Sequence, residues 1–91
     1  MERFVGYVCD ISNLRNVKRG FCYRQVVLSM SNSNARSVKW CVYVFANDFN
    51  DFRIVSNAEI GDKLEFSVQV ESYLIKDRWC TFIKAFHIVN V

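Results

Sequence analysis

The sequence contains no proline and only three glycines in 91 residues. Collagen-like repeats and proline-rich disordered chains need these residues in quantity, so both classes are excluded. Although 52% of the residues are apolar, no apolar run approaches the roughly 18 residues of a membrane-spanning helix. The first three residues include an acid and a base, and no apolar signal-peptide core follows them. These features predict one globular domain over residues 1–91, located in the cytoplasm and without a membrane partner.

Residues that hold metals or perform catalysis are also scarce. The four cysteines are far apart, with no Cys-x-x-Cys pair, and His87 is the single histidine. Structural zinc sites need closely spaced ligand pairs, so we expect no metal and no other cofactor. The sequence has no glycine-rich phosphate loop and no hydrolase or metalloprotease motif. Asp48 and Asp51 form a carboxylate pair, but their spacing favours a role at the start of a helix. We therefore expect that the protein is not an enzyme.

Acidic residues are missing from one third of the chain. Residues 11–47 have six bases and no acid, and residues 1–10 and 48–91 carry net charges of −1 and −2, so the net charge of the whole chain is +3. The six bases are Arg15, Lys18, Arg19, Arg24, Arg36 and Lys39. Such asymmetry favours a face that binds an anionic partner, most often a nucleic acid. The alternative is a solvated edge on which basic residues cluster by chance.

The spacing of apolar residues predicts the secondary structure. Five segments alternate between apolar and polar residues with a period near two, which is typical of strands. The predicted strands cover residues 3–11, 21–30, 38–45, 63–71 and 79–89, and polar loops cover 12–20, 31–37 and 72–78. Between the third and fourth strands, the spacing of Phe49, Phe52 and Val55 predicts a short helix over residues 48–56.

The alternation also predicts a core. In the fourth predicted strand, four apolar residues two apart face inward, and the polar residues between them face outward. The predicted core contains Val26, Leu28, Leu64, Phe66, Val68, Val70 and Ile83. In the third predicted strand both faces are apolar, so periodicity alone does not decide which residues are inside.

The order of the predicted elements indicates a fold class. Five strands with a short helix between the third and fourth are typical of the OB-fold, a small all-β, five-stranded Greek-key barrel. Gly6 fits this expectation, because the first strand of such a barrel must bend to pair on both sides. The alternative is an open five-stranded sheet or an SH3-like barrel.

Basic residues alternate with aromatic ones in the acid-free third of the chain. Single-stranded nucleic acids need this mixture, because cations neutralise phosphates and flat rings stack on unpaired bases. We expect Tyr23 to face outward from the second predicted strand. Trp40 would face outward between Lys39 and Arg36 if Tyr43 and its neighbours fill the core, and the alternative is that Trp40 itself is buried. Tyr73 and Lys76 are expected on the loop between the last two strands, either as contacts or as an ordinary solvated hairpin.

The C-terminal third carries a family resemblance. Gly61-Asp62 is followed by an alternating strand, a short loop and Trp79-x-Thr81-x-Ile83-x-Ala85. This pattern, together with Gly6 in the first predicted strand, resembles the single-stranded-DNA-binding protein superfamily, in particular its short single-domain form in Bacteroides-type bacteria. The resemblance implies an outward tryptophan at Trp40 and a homodimer or homotetramer. It also implies binding of single-stranded DNA with little sequence preference.

The sequence therefore predicts a non-enzymatic single-stranded DNA-binding protein of DNA replication or repair, with RNA as the alternative ligand. The expected contacts are Arg15, Lys18, Arg19, Tyr23, Arg24, Arg36, Lys39, Trp40, Tyr73 and Lys76. The alternative function is a protein-interaction or assembly module that uses an OB-fold without nucleic acid.

Overall fold

The computed structural model describes residues 2–18, 20–30 and 39–91, and these form six strands and one helix. In chain order they are β1 (Phe4–Ile11), β2 (Arg15–Lys18), β3 (Phe21–Ser29), β4 (Lys39–Phe45), α1 (Phe49–Asn57), β5 (Lys63–Ile75) and β6 (Arg78–Asn90). All five predicted strands and the predicted helix are present. The chain is therefore mostly β, with one short helix in its described part, as the sequence predicts.

The strands form a single sheet that closes on itself. Their order is β1-β5-β6-β4-β3-β2, and β1 also pairs with β3, so five strands complete a ring. The first half of β1 pairs with β5 and the second half with β3. The pairs are antiparallel except where Tyr43 of β4 lies beside Lys84 of β6 in a parallel contact. The result is a compact molecule with a radius of gyration of 13.1 Å.

The predicted loop at residues 12–20 contains a strand that the sequence analysis missed. Arg15 and Asn16 of β2 pair with Tyr23 and Cys22 of β3. Polar residues dominate this segment, so apolar alternation gives no sign of a strand. Backbone pairing to an existing neighbour is sufficient to form one at the margin of a sheet.

The predicted loop at residues 72–78 is mostly strand as well. β5 continues to Ile75 and β6 begins at Arg78, so only Lys76 and Asp77 form the turn. Both turn residues have positive φ angles, 49° and 63°, which is the backbone of a tight two-residue hairpin turn. The hairpin is therefore longer than predicted, and Tyr73 lies within β5 rather than on a loop.

The main core fills the space inside the closed sheet. It consists of Val8, Val26, Leu28, Val42, Val44, Val55, Leu64, Phe66, Ala85 and Ile88, all buried. The predicted core residues Val26, Leu28, Leu64 and Phe66 are confirmed, and Val68 packs against them partly buried. Gly6 allows β1 to approach β3 closely, because a Cβ atom there would lie 3.0 Å from Leu28 Cβ.

Two predicted core residues are exposed. Val70 has 67% of its surface accessible and Ile83 has 38%. The two residues oppose each other in the β5–β6 pair, two positions beyond Val68 and Ala85. They lie on the side of the hairpin that faces the main core, but the hairpin runs past the end of that core. Their predicted burial is therefore wrong. The alternation gives the correct side of the hairpin, but the strands extend beyond the region that the main core covers.

The helix is fixed to the sheet by its first-turn carboxylates. Asp51 accepts hydrogen bonds from the backbone N–H groups of His87 at 3.2 Å and Ile88 at 2.9 Å. Asp48 is the residue before the first helical turn, as predicted, but its carboxylate lies 2.9 Å from Lys84 Nζ rather than capping the helix. Both carboxylates therefore connect α1 to β6.

Candidate nucleic-acid interface

The outer face of the sheet carries six aromatic rings in mutual contact, which we call the aromatic cluster. They are Phe21, Tyr23, Tyr43, Phe45, Tyr73 and Phe82. The β3–β4 register sets Tyr23 opposite Phe45 and Gln25 opposite Tyr43. Residues opposed in an antiparallel pair point to the same face, so this face is the one opposite Val26, Leu28 and the main core.

Phe82 lies at the centre of the aromatic cluster. Its ring centroid is 5.0 Å from that of Tyr43, 5.5 Å from Phe45 and 5.8 Å from Tyr23, all in edge-to-face arrangements. Such pairs contribute about 0.5–1.5 kcal/mol each beyond the burial of their surface. Phe45 and Phe82 are buried, whereas Tyr23 and Tyr43 stay partly exposed. The tyrosines therefore form a firmly supported aromatic surface that solvent can still reach.

Two phenols of this cluster, those of Tyr43 and Tyr73, have raised pKa values. Burial, with smaller contributions from Tyr23 and Cys41, raises the pKa of Tyr43. The hydrogen bond that Tyr73 donates to Glu71, with burial second, raises the pKa of Tyr73 to about 12. These two residues therefore add no negative charge that would repel phosphates at neutral pH.

Two of the predicted cations lie on the same face as the aromatic cluster. Arg15 of β2 is directly opposite Tyr23 of β3, and it is exposed. Lys39 is exposed at the start of β4, on the same side of that strand as Tyr43 and Phe45. The two cations lie at opposite ends of β3, six residues or about 20 Å apart. Arg15, Tyr23, Lys39 and Tyr73 are the predicted contacts that the sheet brings to one face.

The predicted orientation of Trp40 is wrong. Trp40 is opposite Leu28 in the β3–β4 pair, so it points to the side of the main core. Its ring centroid lies 4.9 Å from that of Phe4, and it packs partly buried against the main core. Tyr23 and Trp40 therefore lie on opposite faces of the sheet. The packing that would turn Trp40 outward, with Tyr43 on the inside, is reversed, and the alternative of an inward Trp40 applies.

Arg24 also lies away from the aromatic cluster. Its guanidinium donates hydrogen bonds to the Ser12 carbonyl and the Ser56 hydroxyl, both at 3.0 Å, and lies 5.4 Å from the centroid of the Phe52 ring. These contacts tie β3 to α1 and to the segment after β1. Arg24 has a structural role on the helix side of the sheet.

The remaining predicted contacts are at the margins or outside the described residues. Lys76 is exposed in the β5–β6 turn. Arg19, Arg36 and the side chain of Lys18 fall outside the described part of the chain.

A pocket that the sequence did not predict lies at one end of the aromatic cluster. It has a volume of about 260 Å³, and its walls include Phe21, Phe45, Asn47, Tyr73 and Lys84. These residues come from four separate strands and one turn, so no local motif points to them. The one local signal is Lys84 itself, a cation between apolar residues in the last predicted strand.

Lys84 is the centre of charge in this pocket. Its ammonium lies 2.9 Å from Asp48 Oδ2, 4.0 Å from Glu71 Oε1 and 5.6 Å from the centroid of the Phe45 ring. The Asp48 oxygen is buried without a hydrogen bond of regular geometry. The nearby ammonium therefore supplies the charge compensation that a buried carboxylate needs.

A second feature of the surface is an apolar strip on the other side of the β5–β6 hairpin. Leu74 pairs with Trp79, and Val70 pairs with Ile83, so these four side chains share one face. Trp79 is 72% exposed. The strip consists of Val70, Leu74, Trp79 and Ile83, and the hydrogen-bonded polar pair of Ser72 and Thr81 lies between its two apolar pairs.

No protein-family model matches the chain, and no curated protein is significantly similar to it.

Within residues 2–18, 20–30 and 39–91, no three histidine, cysteine or carboxylate side chains are grouped in a way that suits a metal ion. The described part of the chain also has no helix of the length and apolarity that spanning a membrane requires.

Proposed function

We propose that the protein is an OB-fold protein that binds single-stranded DNA, without catalysis and largely independently of base sequence. The fold part of this proposal is supported by the ring of pairings β1-β5-β6-β4-β3-β1 and by α1 between β4 and β5. Both features are those of an OB-fold, in which one strand pairs on two sides and a helix covers one end.

The observation that carries the binding proposal is the alignment of Arg15, Tyr23 and Lys39 on the face of the aromatic cluster. A single strand lying along β3 would place phosphates near the two cations, which neutralise them and release counterions. Its bases would then contact the partly exposed rings of Tyr23 and Tyr43. Stacking on such rings is tolerant of sequence, because every base has a flat aromatic surface.

The structure changes which residues the proposal includes. Arg15, Tyr23, Lys39 and Tyr43 form the centre of the proposed interface, and Tyr73 and Lys76 extend it along the hairpin. Lys18, Arg19 and Arg36 complete the set as phosphate contacts. Arg24 and Trp40 are left out, because their side chains are engaged on the opposite side of the sheet.

A titration with fluorescein-labelled oligo-dT tests the proposal through Tyr23→Leu. Leucine keeps an apolar side chain in the cluster but removes the stacking ring, so affinity should fall by about 1–3 kcal/mol. Phe49→Leu is the matched control, because Phe49 is a 72% exposed ring on α1, away from the proposed interface. Equal affinities of wild type and both variants would overturn the proposed interface, and no binding by wild type at low salt would overturn the function.

The alternative function, an assembly module without nucleic acid, is favoured by the apolar strip. Exposed apolar surface of this kind is typical of sites where proteins associate. Both faces of residues 38–45 are apolar, but this gives no reason to expect an oligomer, because Val42 and Val44 are in the main core and Phe45 is in the aromatic cluster. Light scattering that gives twice the chain mass for wild type and one chain mass for Trp79→Lys, without DNA binding, would support this alternative.

A further inference from the structure

The pocket beside the aromatic cluster is distinct in chemistry from the open face of β3 and β4. Aromatic rings form its walls: the Phe21 centroid is 5.1 Å from that of Phe45 and 5.3 Å from that of Tyr73. Its volume of about 260 Å³ is below the roughly 300–1,000 Å³ of pockets for drug-sized molecules. A site of this size and composition suits one planar ring system rather than a whole nucleotide.

The charges of the described residues around the pocket disfavour a phosphate as its occupant. Among these residues Lys84 is the cation of the pocket, and the carboxylates of Asp48 and Glu71 both lie within 4.0 Å of its ammonium. The group therefore has one more negative than positive charge, which repels an anion. A neutral ring with hydrogen-bonding groups on its edge meets no such repulsion.

The hydrogen-bonding groups of the pocket indicate which ring edge fits. Lys84 is an obligate donor, and its side chain is 18% exposed, so it still reaches the pocket. Tyr73 is a wall residue whose hydroxyl donates to Glu71 and is therefore occupied, and the Asn47 amide has both a donor and an acceptor, so it does not distinguish one ring edge from another. A keto oxygen, as in thymine or guanine, accepts a hydrogen bond from an ammonium, whereas adenine presents an amino group in the corresponding position.

We infer that this pocket binds one keto-bearing nucleobase ring, with Phe21 and Phe45 as its walls and Lys84 donating to the keto oxygen. The inference rests on the proposed function where the ring belongs to a bound single strand. The same chemistry is present in a free nucleoside, which is the second source of such a ring. In a bound strand, the pocket adds a base preference at one position to an otherwise sequence-tolerant interface.

The test compares the dT-to-dA affinity ratio of wild type with that of a variant whose pocket has lost its donor. Lys84→Met alone would leave the Asp48 carboxylate without its cation, so the test variant is Lys84→Met with Asp48→Asn. Lys63→Met, at an exposed position at the start of β5, lowers the net charge by one, which the test variant does not, and it shows whether a general loss of positive charge affects the ratio. Labelled oligo-dT and oligo-dA of equal length are titrated by anisotropy at one salt concentration, and unfolding curves establish that each protein is folded.

Because a hydrogen bond from a charged donor is lost, the dT preference of wild type should fall about 10- to 150-fold in the double variant. The ratio should be unchanged in the control, because loss of a general phosphate attraction affects both oligonucleotides alike. An unchanged ratio in a folded double variant overturns the base pocket and leaves the proposed function standing.

A second arm distinguishes the two sources of the ring. Free thymidine and adenosine are added to the isotope-labelled full chain, and the amide resonances of Cys22 and Asn47 beside the pocket are followed. Saturable shifts with thymidine but not with adenosine support a keto-base pocket. If oligo-dT does not bind in that case, only the proposed DNA-binding function is overturned. No shift with thymidine and no binding of oligo-dT overturn both proposals.

Discussion

The Tyr73 hydroxyl couples a ring of the aromatic cluster to a carboxylate on the same strand. The phenol donates to Glu71, two residues earlier in β5. Ionisation of the Tyr73 hydroxyl would remove the hydrogen-bonding proton and place a phenolate beside the Glu71 carboxylate. Ionisation is therefore less favourable in the folded protein than in the unfolded chain. This hydrogen bond is the main reason that the pKa of Tyr73 rises to about 12.

Stability at high pH should depend on this residue. In the unfolded chain Tyr73 ionises near its ordinary pKa of 10, before it does so in the folded protein. The stabilisation is therefore complete below pH 10 and is lost as the pH rises toward about 12. Tyr73→Phe keeps the ring but has no such loss. Urea midpoints from pH 9 to 12 should thus fall more steeply for wild type than for the variant, and parallel curves would contradict the coupling.

Lys84 of β6 contacts the segment from the end of β4 to the start of α1 and also contacts β5. It faces Asp48 before α1, Glu71 in β5 and the ring of Phe45 in β4. A surface ion pair contributes little to stability, but Asp48 has a buried oxygen for which the ammonium is the compensating charge. The pocket beside Lys84 therefore has a donor whose position is fixed before any ligand arrives.

At the scale of elements, the β5–β6 hairpin has a covered half and an uncovered half. Near the chain ends of the hairpin, Leu64 and Ala85 are part of the main core. Toward the turn, the same side carries Leu74 and Trp79, 53% and 72% exposed. The opposite side of this distal half packs against the aromatic cluster through Ile75 and Phe82. The distal half of the hairpin therefore has one side packed in the aromatic cluster and one solvent-exposed side that carries Leu74 and Trp79.

Two leucines of β5 offer a matched measurement of where the main core ends. Leu64 is 1% exposed and Leu74 is 53% exposed. Leu64→Ala should cost about 2–5 kcal/mol, because it removes buried methyl groups and leaves a cavity. Leu74→Ala should cost less than about 1 kcal/mol. Urea unfolding of the two variants checks the difference, and equal costs would mean that the distal half of the hairpin is also covered.

The sequence predicts the strands and the helix better than it predicts to which side of the sheet individual side chains point. Residues 63–71 and the helix near Phe52 have clear periodicities, and both are in the structure. Residues 38–45 are apolar on both faces, so only the register opposite Leu28 decides that Trp40 points to the main core. In β6, the positive φ of His87 and the shifted register beside it turn Ile88 inward, which no alternation rule anticipates.

At the scale of the whole molecule, the closed sheet has packed residues on both of its faces. The main core fills the inside, and the aromatic cluster covers the outside where β3, β4 and the hairpin meet. The pocket and the proposed interface both depend on this second cluster, which joins residues from positions 21 to 82. Its members are aromatic residues of ordinary strands, so their assembly follows from the topology rather than from any motif.

The cations on the outer face should set the salt dependence of DNA binding. Arg15 and Lys39 lie at the two ends of β3, so a strand that follows β3 contacts both. Each lost phosphate contact lowers the slope of log K against log salt by about 0.7 for single strands. Arg15→Gln with Lys39→Gln should therefore reduce the slope for oligo-dT by about 1.4.

The matched control is Arg53→Gln with Lys63→Gln, which removes two exposed cations from α1 and the start of β5. Because it changes net charge by the same amount, it separates direct phosphate contact from the general attraction of a positive protein. For the control, the slope of log K against log salt should stay within about 0.35 of the wild-type slope, which is half the change expected for one phosphate contact. If both double variants lower the slope equally, the strand does not follow β3, and net charge rather than this face attracts it.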